Sequence, residues 1–221
     1  NLDHINNTNE YDEYGFKWSC CKGYLNVAKW LLEIKPTIDI SADNEFAFRY
    51  CCKNGHLDVA KWLLEIKPTI DISAENEYAF RESCESGHLD VTKWLHEIKP
   101  TIDISAENDY AFRWSCKNDH LDIAKWLLEI KPTISTKDKE TIRWSCRNGS
   151  LSTVKWLLEI KPTIDIVERN EETFRACCAN GHLEVVKLLL EIKPTIDISA
   201  ENEQAFRFSC ENGHLEIAKW L

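Results

Sequence analysis

Residues 73–104 read SAENEYAFRESCESGHLDVTKWLHEIKPTIDI, and this stretch decides the fold. Asn76 has the side chain of a good N-cap, and Glu77 in the following turn suits the positive end of a helix dipole. A first helix then runs to about Ser86, where Gly87 can close it in the left-handed conformation. The second helix starts near Leu89 and stops by Lys99, because the residue before Pro100 is pushed out of the α region. Thr101-Ile102-Asp103-Ile104 alternates with period two, which predicts a short extended finger leading onward.

The same passage recurs along the chain. Pro36, Pro68, Pro100, Pro132, Pro162 and Pro194 lie 32 residues apart, except for one step of 30. Gly23, Gly55, Gly87, Gly149, Gly181 and Gly213 keep a second phase of this period. Trp30, Trp62, Trp94, Trp126, Trp156 and Trp220 keep a third, with Leu188 in place of the missing Trp. Asp119 stands in place of the missing Gly, and aspartate is one of the few other residues that tolerates a left-handed backbone. A fixed period of this length means stacked supersecondary units. Seven copies are counted, over about residues 10–40, 41–72, 73–104, 105–134, 135–166, 167–198 and 199–221, so residues 1–221 are expected to form a single array. The chain has no Met, even at position 1, and it stops at Trp220-Leu221 halfway through a second helix. Both ends are therefore expected to be truncated, with no polar capping copy.

Helical faces follow at about 100° per residue. Phe80, Ser83 and Cys84 share the core face of the first helix, while Tyr78, Glu82 and Glu85 point the opposite way. On the second helix only Asp90, Lys93 and Glu97 form a polar stripe. Leu89, Val91, Trp94, Leu95 and Ile98 occupy most of the remaining circumference, and a helix apolar over that much surface needs cover on several sides. One copy cannot supply that cover, so its neighbours must. The expected fold is all-α, a solenoid of helix-turn-helix units joined by short extended fingers.

Here the chain resembles the ankyrin repeat. Ser86-Gly-His-Leu-Asp-Val-Thr-Lys-Trp-Leu95 is similar to the family's N-G-H-L-E-V-V-K-L-L segment, and Ile102-Asp-Ile104 to its D-V-N finger. Asn180-Gly-His-Leu-Glu-Val-Val-Lys-Leu-Leu-Leu190 matches almost letter for letter, and the resemblance covers about residues 10–221. The phrasing of the repeat is most like that of ankyrin proteins from giant DNA viruses of amoebae. Two departures stand out. The family's T-P-L-H is Tyr78-Ala79-Phe80-Arg81, so Asn76 is expected to cap about two residues early and lengthen the first helix. Its His becomes Arg, and Glu77–Arg81 is an i,i+4 pair expected to hold the new charge. The pair recurs as Glu45–Arg49, Asp109–Arg113, Glu171–Arg175 and Glu203–Arg207. The fifth copy is two residues short at Ile134-Ser-Thr-Lys-Asp-Lys-Glu140 and puts Lys139 against Arg143. A shortened finger and a local change of superhelix are expected there.

Composition bounds the function. With 37 acidic against 27 basic residues the net charge is −10, which argues against nucleic acid and anionic lipid as partners. No apolar run approaches the roughly 18 residues of a membrane helix, because Lys or Glu interrupts each one. The start, Asn1-Leu-Asp-His4, has neither the basic nor the apolar region of a secretory signal. Cys20, Cys52, Cys84, Cys116, Cys146, Cys178 and Cys210 share one phase of the repeat, where the ankyrin family buries Ala. Equivalent residues on packed helices lie too far apart to bridge, so free thiols serving as small hydrophobes are expected, in a reducing intracellular compartment. In a viral setting this would be the host cytoplasm. Cys84–His88, Cys116–His120 and Cys178–His182 share a Cys-x3-His spacing, but a helix-ending glycine or its substitute lies between them, and no CxxC accompanies them. Phosphate-loop, GxSxG and HExxH motifs are also missing. No catalytic residue, metal or cofactor is expected.

The outer face of the first helix is the candidate binding surface. Its rings are Tyr14, Trp18, Phe46, Tyr50, Tyr78, Tyr110, Trp114, Trp144 and Phe208. Its third position changes from copy to copy as Cys21, Lys53, Glu85, Lys117, Arg147, Ala179 and Glu211. Residues that must pack stay fixed, whereas this stripe changes chemical type. Aromatic anchors among varied charges are what an interface core looks like, and rings that cover neighbouring fingers as framework are the alternative. Glu82 joins the stripe, and the finger acids Asp43, Glu75, Glu107 and Glu201 are expected to steer a basic or mixed-charge protein partner. The ankyrin resemblance implies a monomeric, non-enzymatic binding module on a concave helix-one and finger surface. Its viral flavour implies a host-directed adaptor, and a self-associating virion scaffold is the rival reading.

Overall fold

Among the described residues the Gly-His and Lys-Pro punctuation falls between helices. These are α1 (Asp3–Cys21), α2 (Leu25–Ile34), α3 (Ala42–Lys53), α4 (Leu57–Ile66), α5 (Ala74–Glu85), α6 (Leu89–Ile98) and α7 (Ala106–Lys117). They continue as α8 (Leu121–Ile130), α9 (Lys139–Arg147), α10 (Leu151–Ile160), α11 (Asn170–Ala179), α12 (Leu183–Ile192), α13 (Ala200–Glu211) and α14 (Leu215–Trp220). The computed structural model describes residues 3–134, 139–160 and 170–221, with side chains for 11–134, 139–160 and 172–221, and no strand occurs among them. The chain divides into two compact units, Asn1–Ala111 and Phe112–Leu221.

The helix ends form as their residues dictate. At the end of α5 the His88 N–H donates to the Ser83 carbonyl (2.9 Å) and the Gly87 N–H to the Cys84 carbonyl (3.3 Å). This Schellman closure needs a positive φ, which is 86° at Gly87 and 60° at Asp119. The second helices stop at the lysine before proline, as at Lys67, where ψ is 81°. The connector that follows is two consecutive turns rather than an extended strand. Ile70 N–H donates to the Lys67 carbonyl (3.2 Å), with Pro68 presetting the turn, and Ala74 N–H donates to the Asp71 carbonyl (3.1 Å). The period-two pattern survives as burial, with Ile102 and Ile104 inside and Thr101 and Asp103 outside.

The starts of the first helices depart most from expectation. Glu75, Asn76 and Glu77 all lie in the left-handed region, with φ of 56°, 54° and 61°. Asp43–Glu45, Glu107–Asp109 and Glu201–Glu203 repeat the turn. Right-handed helix therefore begins only at Tyr78, so Asn76 is not its N-cap and the helix is not lengthened. Each left-handed residue costs about 1–2 kcal/mol, so the turn needs compensation. Its arginine supplies it. Arg81 donates through Nε to the Asn76 carbonyl (2.7 Å) and through Nη2 to that of Glu75 (3.2 Å). Arg49 does the same to Asn44 (2.7 Å) and Asp43 (3.0 Å). The expected Glu45–Arg49 and Glu77–Arg81 ion pairs are consequently not made. Glu77 is buried and accepts instead from the Ser73 hydroxyl (2.6 Å) and the Asp103 N–H (3.4 Å). The Glu171 side chain and the fifth-copy residues 135–138 lie outside the described residues. α9 is described from Lys139, and its Arg143 bonds the Glu140 carboxylate (2.5 Å).

Two contacts tie each copy to the one before it. The first is aromatic. Phe16, Phe48, Phe80, Phe112 and Phe174 are fully buried in the core. Trp62 reaches back to Phe16 and Trp94 to Phe48, with ring centroids 6.3 Å apart, and Trp156 reaches Phe112 at 6.4 Å. Trp62, Trp94 and Trp156 thus serve packing, while Trp30 and Trp220 are exposed. The second tie is the Asn-Gly-His turn. Asn54 Nδ2 donates to the Cys21 carbonyl (2.8 Å), and the His56 ring lies so close to Gly23 that a Cβ there would stand 2.5 Å from Nδ1. Glycine is required by its φ of 74° and again by this approach.

The exception explains itself. Asp119 brings a Cβ and a carboxylate to the glycine position, and the following copy has Ser150 where His would strike them. Ser150 Oγ donates to the Lys117 carbonyl (2.5 Å), while Asp119 Oδ1 accepts from Thr153 N–H (2.9 Å) and Oγ1 (2.8 Å). Asp119→Gly should strand the buried Thr153 hydroxyl, and Ser150→His should collide with Asp119, each losing about 1–3 kcal/mol. The double variant restores the Gly-His pair and should recover most of the loss, with a coupling of about 1–3 kcal/mol in urea unfolding. Additive losses would show that the two positions are independent.

Candidate functional site

In the first unit the stripe forms a continuous run of rings. Tyr14 lies 5.9 Å from Trp18, Trp18 6.3 Å from Phe46, Phe46 4.1 Å from Tyr50, and Tyr50 5.5 Å from Tyr78, between centroids. The run crosses α1, α3 and α5 because i,i+4 pairs on one helix meet those of the next. Tyr14 is 60% and Trp18 40% exposed, and Phe46, Tyr50, Tyr78 and Tyr110 are half-buried. The guanidinium carbons of Arg49 and Arg81 stand 4.8 Å from the centroids of Tyr78 and Tyr110. The arginines that hold the left-handed turns thus also cover the rings beside them. These rings serve as framework for one another, and Tyr14 and Trp18 keep the most exposed surface.

Several acids stand elsewhere than expected. Glu82 is only 8% exposed, because Lys53 Nζ pairs with it at 2.7 Å and the Tyr110 hydroxyl donates to it at 3.3 Å. Tyr110 also bonds Glu85. Burial, then the Glu85 bond and the neighbouring carboxylates, pushes the Tyr110 hydroxyl well above its usual range. Tyr78 is pushed up to about 12 by burial, then by its bond to Tyr50 and by Glu82. Partial burial works against the charge on Lys53, but the Glu82 bond, the Glu82 charge and Tyr78 together outweigh it and raise the ammonium above its ordinary value. Glu75 accepts from Asn44 Nδ2 (2.6 Å) and Glu107 from Asn76 Nδ2 (2.8 Å), while Asp43 pairs with Lys17. Glu75 and Glu107 thereby link neighbouring left-handed turns, and Asp43 ties its turn to α1, so none of the three stands free to steer a basic partner.

The second unit carries a different stretch. Trp114 on α7 and Trp144 on α9 meet edge to face, with centroids 6.1 Å apart and planes at 63°. Lys117 Nζ sits 3.5 Å from the Trp114 centroid and 4.8 Å from that of Trp144. A cleft of about 160 Å³ opens there, lined by Arg113, Trp114, Lys117, Glu140, Thr141 and Trp144. Partial burial opposes ionisation of Glu140, but the bonds from Arg143 and the Trp144 indole and the charges of Arg143 and Arg147 hold its carboxyl below the usual range. Arg147 pairs with Glu172.

The Cys-x3-His pairs form no dyad. The imidazoles turn back onto the preceding copy, as His56 does on Gly23 and His88 on Gly55, while the thiols face the core. Among the described residues no three of His, Cys, Asp and Glu gather as a metal site. Sequence reasoning missed Arg49 and Arg81 as holders of the left-handed turns, and Arg113 and Thr141 as cleft residues. The recurrence of arginine after each acidic Asn turn was the signal for the first pair. The gathering of cations on α7 and α9 was the signal for the cleft.

Comparison with known proteins agrees with this geometry. The family model described as "Ankyrin repeats (3 copies)" matches residues 2–76 and 142–221. The human ASB11 ankyrin repeat domain superposes with a TM-score of 0.59 at 17% identity, covering 86% of this chain and 95% of that one. An ankyrin repeat family protein from Legionella pneumophila is 24% identical, with a TM-score of 0.49, over 94% of this chain and 70% of that one. No curated protein matches the chain.

The thiols give a direct test of the core. Nine of the ten cysteines are buried and free, and Cys210 is exposed. Burial raises Cys84, Cys146 and Cys178 to about 12, so their reactive thiolates are scarce at neutral pH. A disulfide-exchange reagent at pH 8 should titrate Cys210 rapidly in the folded chain and all ten thiols only in guanidinium. Fast labelling of Cys84 or Cys178 below pH 7 would instead reveal an activated thiol.

Proposed function

Because the chain belongs to the ankyrin-repeat family, whose repeats are general protein–protein interaction modules, we propose that it acts without catalysis by binding a protein partner on its helix-one and finger faces. The observation that carries this reading is the ring run from Tyr14 to Tyr78, continuous across three first helices and exposed at Tyr14 and Trp18. Rigid rings held by the scaffold lose little side-chain freedom on binding, which is why a few such anchors dominate interface energetics. Lys53 and Glu85 vary the charge beside constant rings, which suits selection of one partner over another. The phrasing of the repeat extends the reading to a host-directed adaptor of a giant DNA virus. The buried free thiols suit a reducing compartment such as the host cytoplasm.

Capture from a host lysate tests this surface. The parent chain and a Lys61→Glu, Lys93→Glu variant, altered on exposed second-helix positions, should recover the same partner. A Trp18→Ser, Tyr78→Ser variant should lose it, by about tenfold or more in measured affinity. Equal recovery by all three removes the ring run as the binding surface. Concentration-dependent oligomers in sedimentation, abolished by the ring variant, would favour the self-associating scaffold instead.

A further inference from the structure

First helices differ in charge from copy to copy. α5 carries Glu75, Glu77, Glu82 and Glu85 against Arg81 alone. α7 carries Glu107 and Asp109 in its left-handed first turn and Arg113 and Lys117 beyond it, and α9 carries Lys139, Arg143 and Arg147 against Glu140. The acid is already engaged by Arg143 and by the Trp144 indole at 3.3 Å. A chain of net charge −10 therefore concentrates cations around one aromatic cleft.

We propose that the Trp114–Trp144 cleft docks an acidic peptide segment of the protein partner, seating one apolar side chain between Arg113 and Thr141 while flanking carboxylates meet Arg113 and Lys117. This rests on the protein-binding reading above and deepens it. The volume, about 160 Å³, suits one ring or branched aliphatic group, since a protein cavity of about 150 Å³ accepts benzene. Trp144 is 43% exposed and forms the open wall against which such a group would lose its water. The ammonium of Lys117 already lies over the Trp114 face, so that face is closed to a stacking nucleobase. A long polyanionic backbone would also be repelled by the chain's net charge of −10, whereas a short acidic segment answers mainly to the lining itself, where Arg113 and Lys117 outnumber Glu140. Local charge complementarity of this kind sets on-rate and partner choice.

The test uses the full chain and a short fluorescein-labelled peptide of Asp and Glu around a central Phe. Companion peptides carry Ala in place of Phe, or Lys in place of the acids, and a short oligouridylate is the fourth probe. Fluorescence anisotropy should show binding of the acidic Phe peptide that weakens as salt rises, and about tenfold or more weaker binding of the Ala peptide. Arg113→Glu and Lys117→Glu should each weaken it about tenfold or more, and Trp144→Ala likewise, with circular dichroism confirming that each variant folds. Should Trp144→Ala unfold, the two charge reversals decide alone. Lys61→Ala, at an exposed position on α4 of the other unit, should leave the affinity unchanged. No binding of the acidic peptide, equal binding of the lysine peptide or of the oligouridylate, or charge reversals that bind like the parent would each overturn the inference. Failure here, with partner capture still dependent on Trp18 and Tyr78, removes the acidic cleft and leaves the wider reading standing.

Discussion

A second helix with apolar side chains around most of its circumference has to be covered from more than one direction, and the rest of the structure follows from that. On α6, Val91, Thr92 and Leu95 are fully buried, and the half-buried Trp94 packs on Phe48 of the copy before. Burying one large apolar side chain is worth about 1.5–3 kcal/mol, against about 0–1 kcal/mol for an exposed ion pair. The phenylalanine–tryptophan contacts therefore outweigh the many surface charges in holding neighbours together. Each copy depends on the next one along, and stability accumulates through neighbour contacts rather than through one central core.

The left-handed turns show how a locally unfavourable backbone is kept. Glu75–Glu77 would not hold this conformation on propensity, since only asparagine among the three visits it readily. The Arg81 guanidinium collects two carbonyls that the turn leaves pointing outward, and Asn76 bonds Glu107 of the next turn. The same arginine then lies over Tyr110. Backbone strain, inter-copy bonding and the placement of the aromatic stripe thus meet in one side chain. A lysine there would keep the charge but not the fork that reaches two acceptors at once.

Much of this was legible in the sequence for a physical reason. Period, proline and glycine act through steric rules that need no tertiary context, so the helix ends at Gly87 and Lys99 stand where the residues predict them. The Ile102 and Ile104 alternation correctly marked the buried side chains but not a strand, because alternation records which side faces the core and not how the backbone hydrogen-bonds. Asn76 was misread as a cap because its side chain suits a helix start and a left-handed turn equally well. What separates the two is Arg81, whose carbonyl partners exist only after the turn has formed. Glu82 was placed on the outer face by helical angle, and it does point there. Its burial comes from Lys53 and Tyr110 of the flanking copies, which no single-helix reading contains.

Net charge is a poor guide to what such a surface recognises. At physiological ionic strength charges are screened beyond about 8 Å, a distance comparable to the spacing of packed helices. A partner side chain entering the cleft on α7 and α9 therefore responds to Arg113, Lys117 and the compensated Glu140 far more than to the chain's total charge. The finger acids illustrate the same point from the other side. Glu75 and Glu107 contribute fully to the net charge of −10, yet each is bonded to an asparagine of the preceding copy and is set in place as part of the framework. Because copies can vary one stripe position without disturbing the Phe, Trp and Gly-His contacts, each pair of adjacent first helices can carry its own local charge. Recognition is then written copy by copy, on a scaffold whose packing residues do not change.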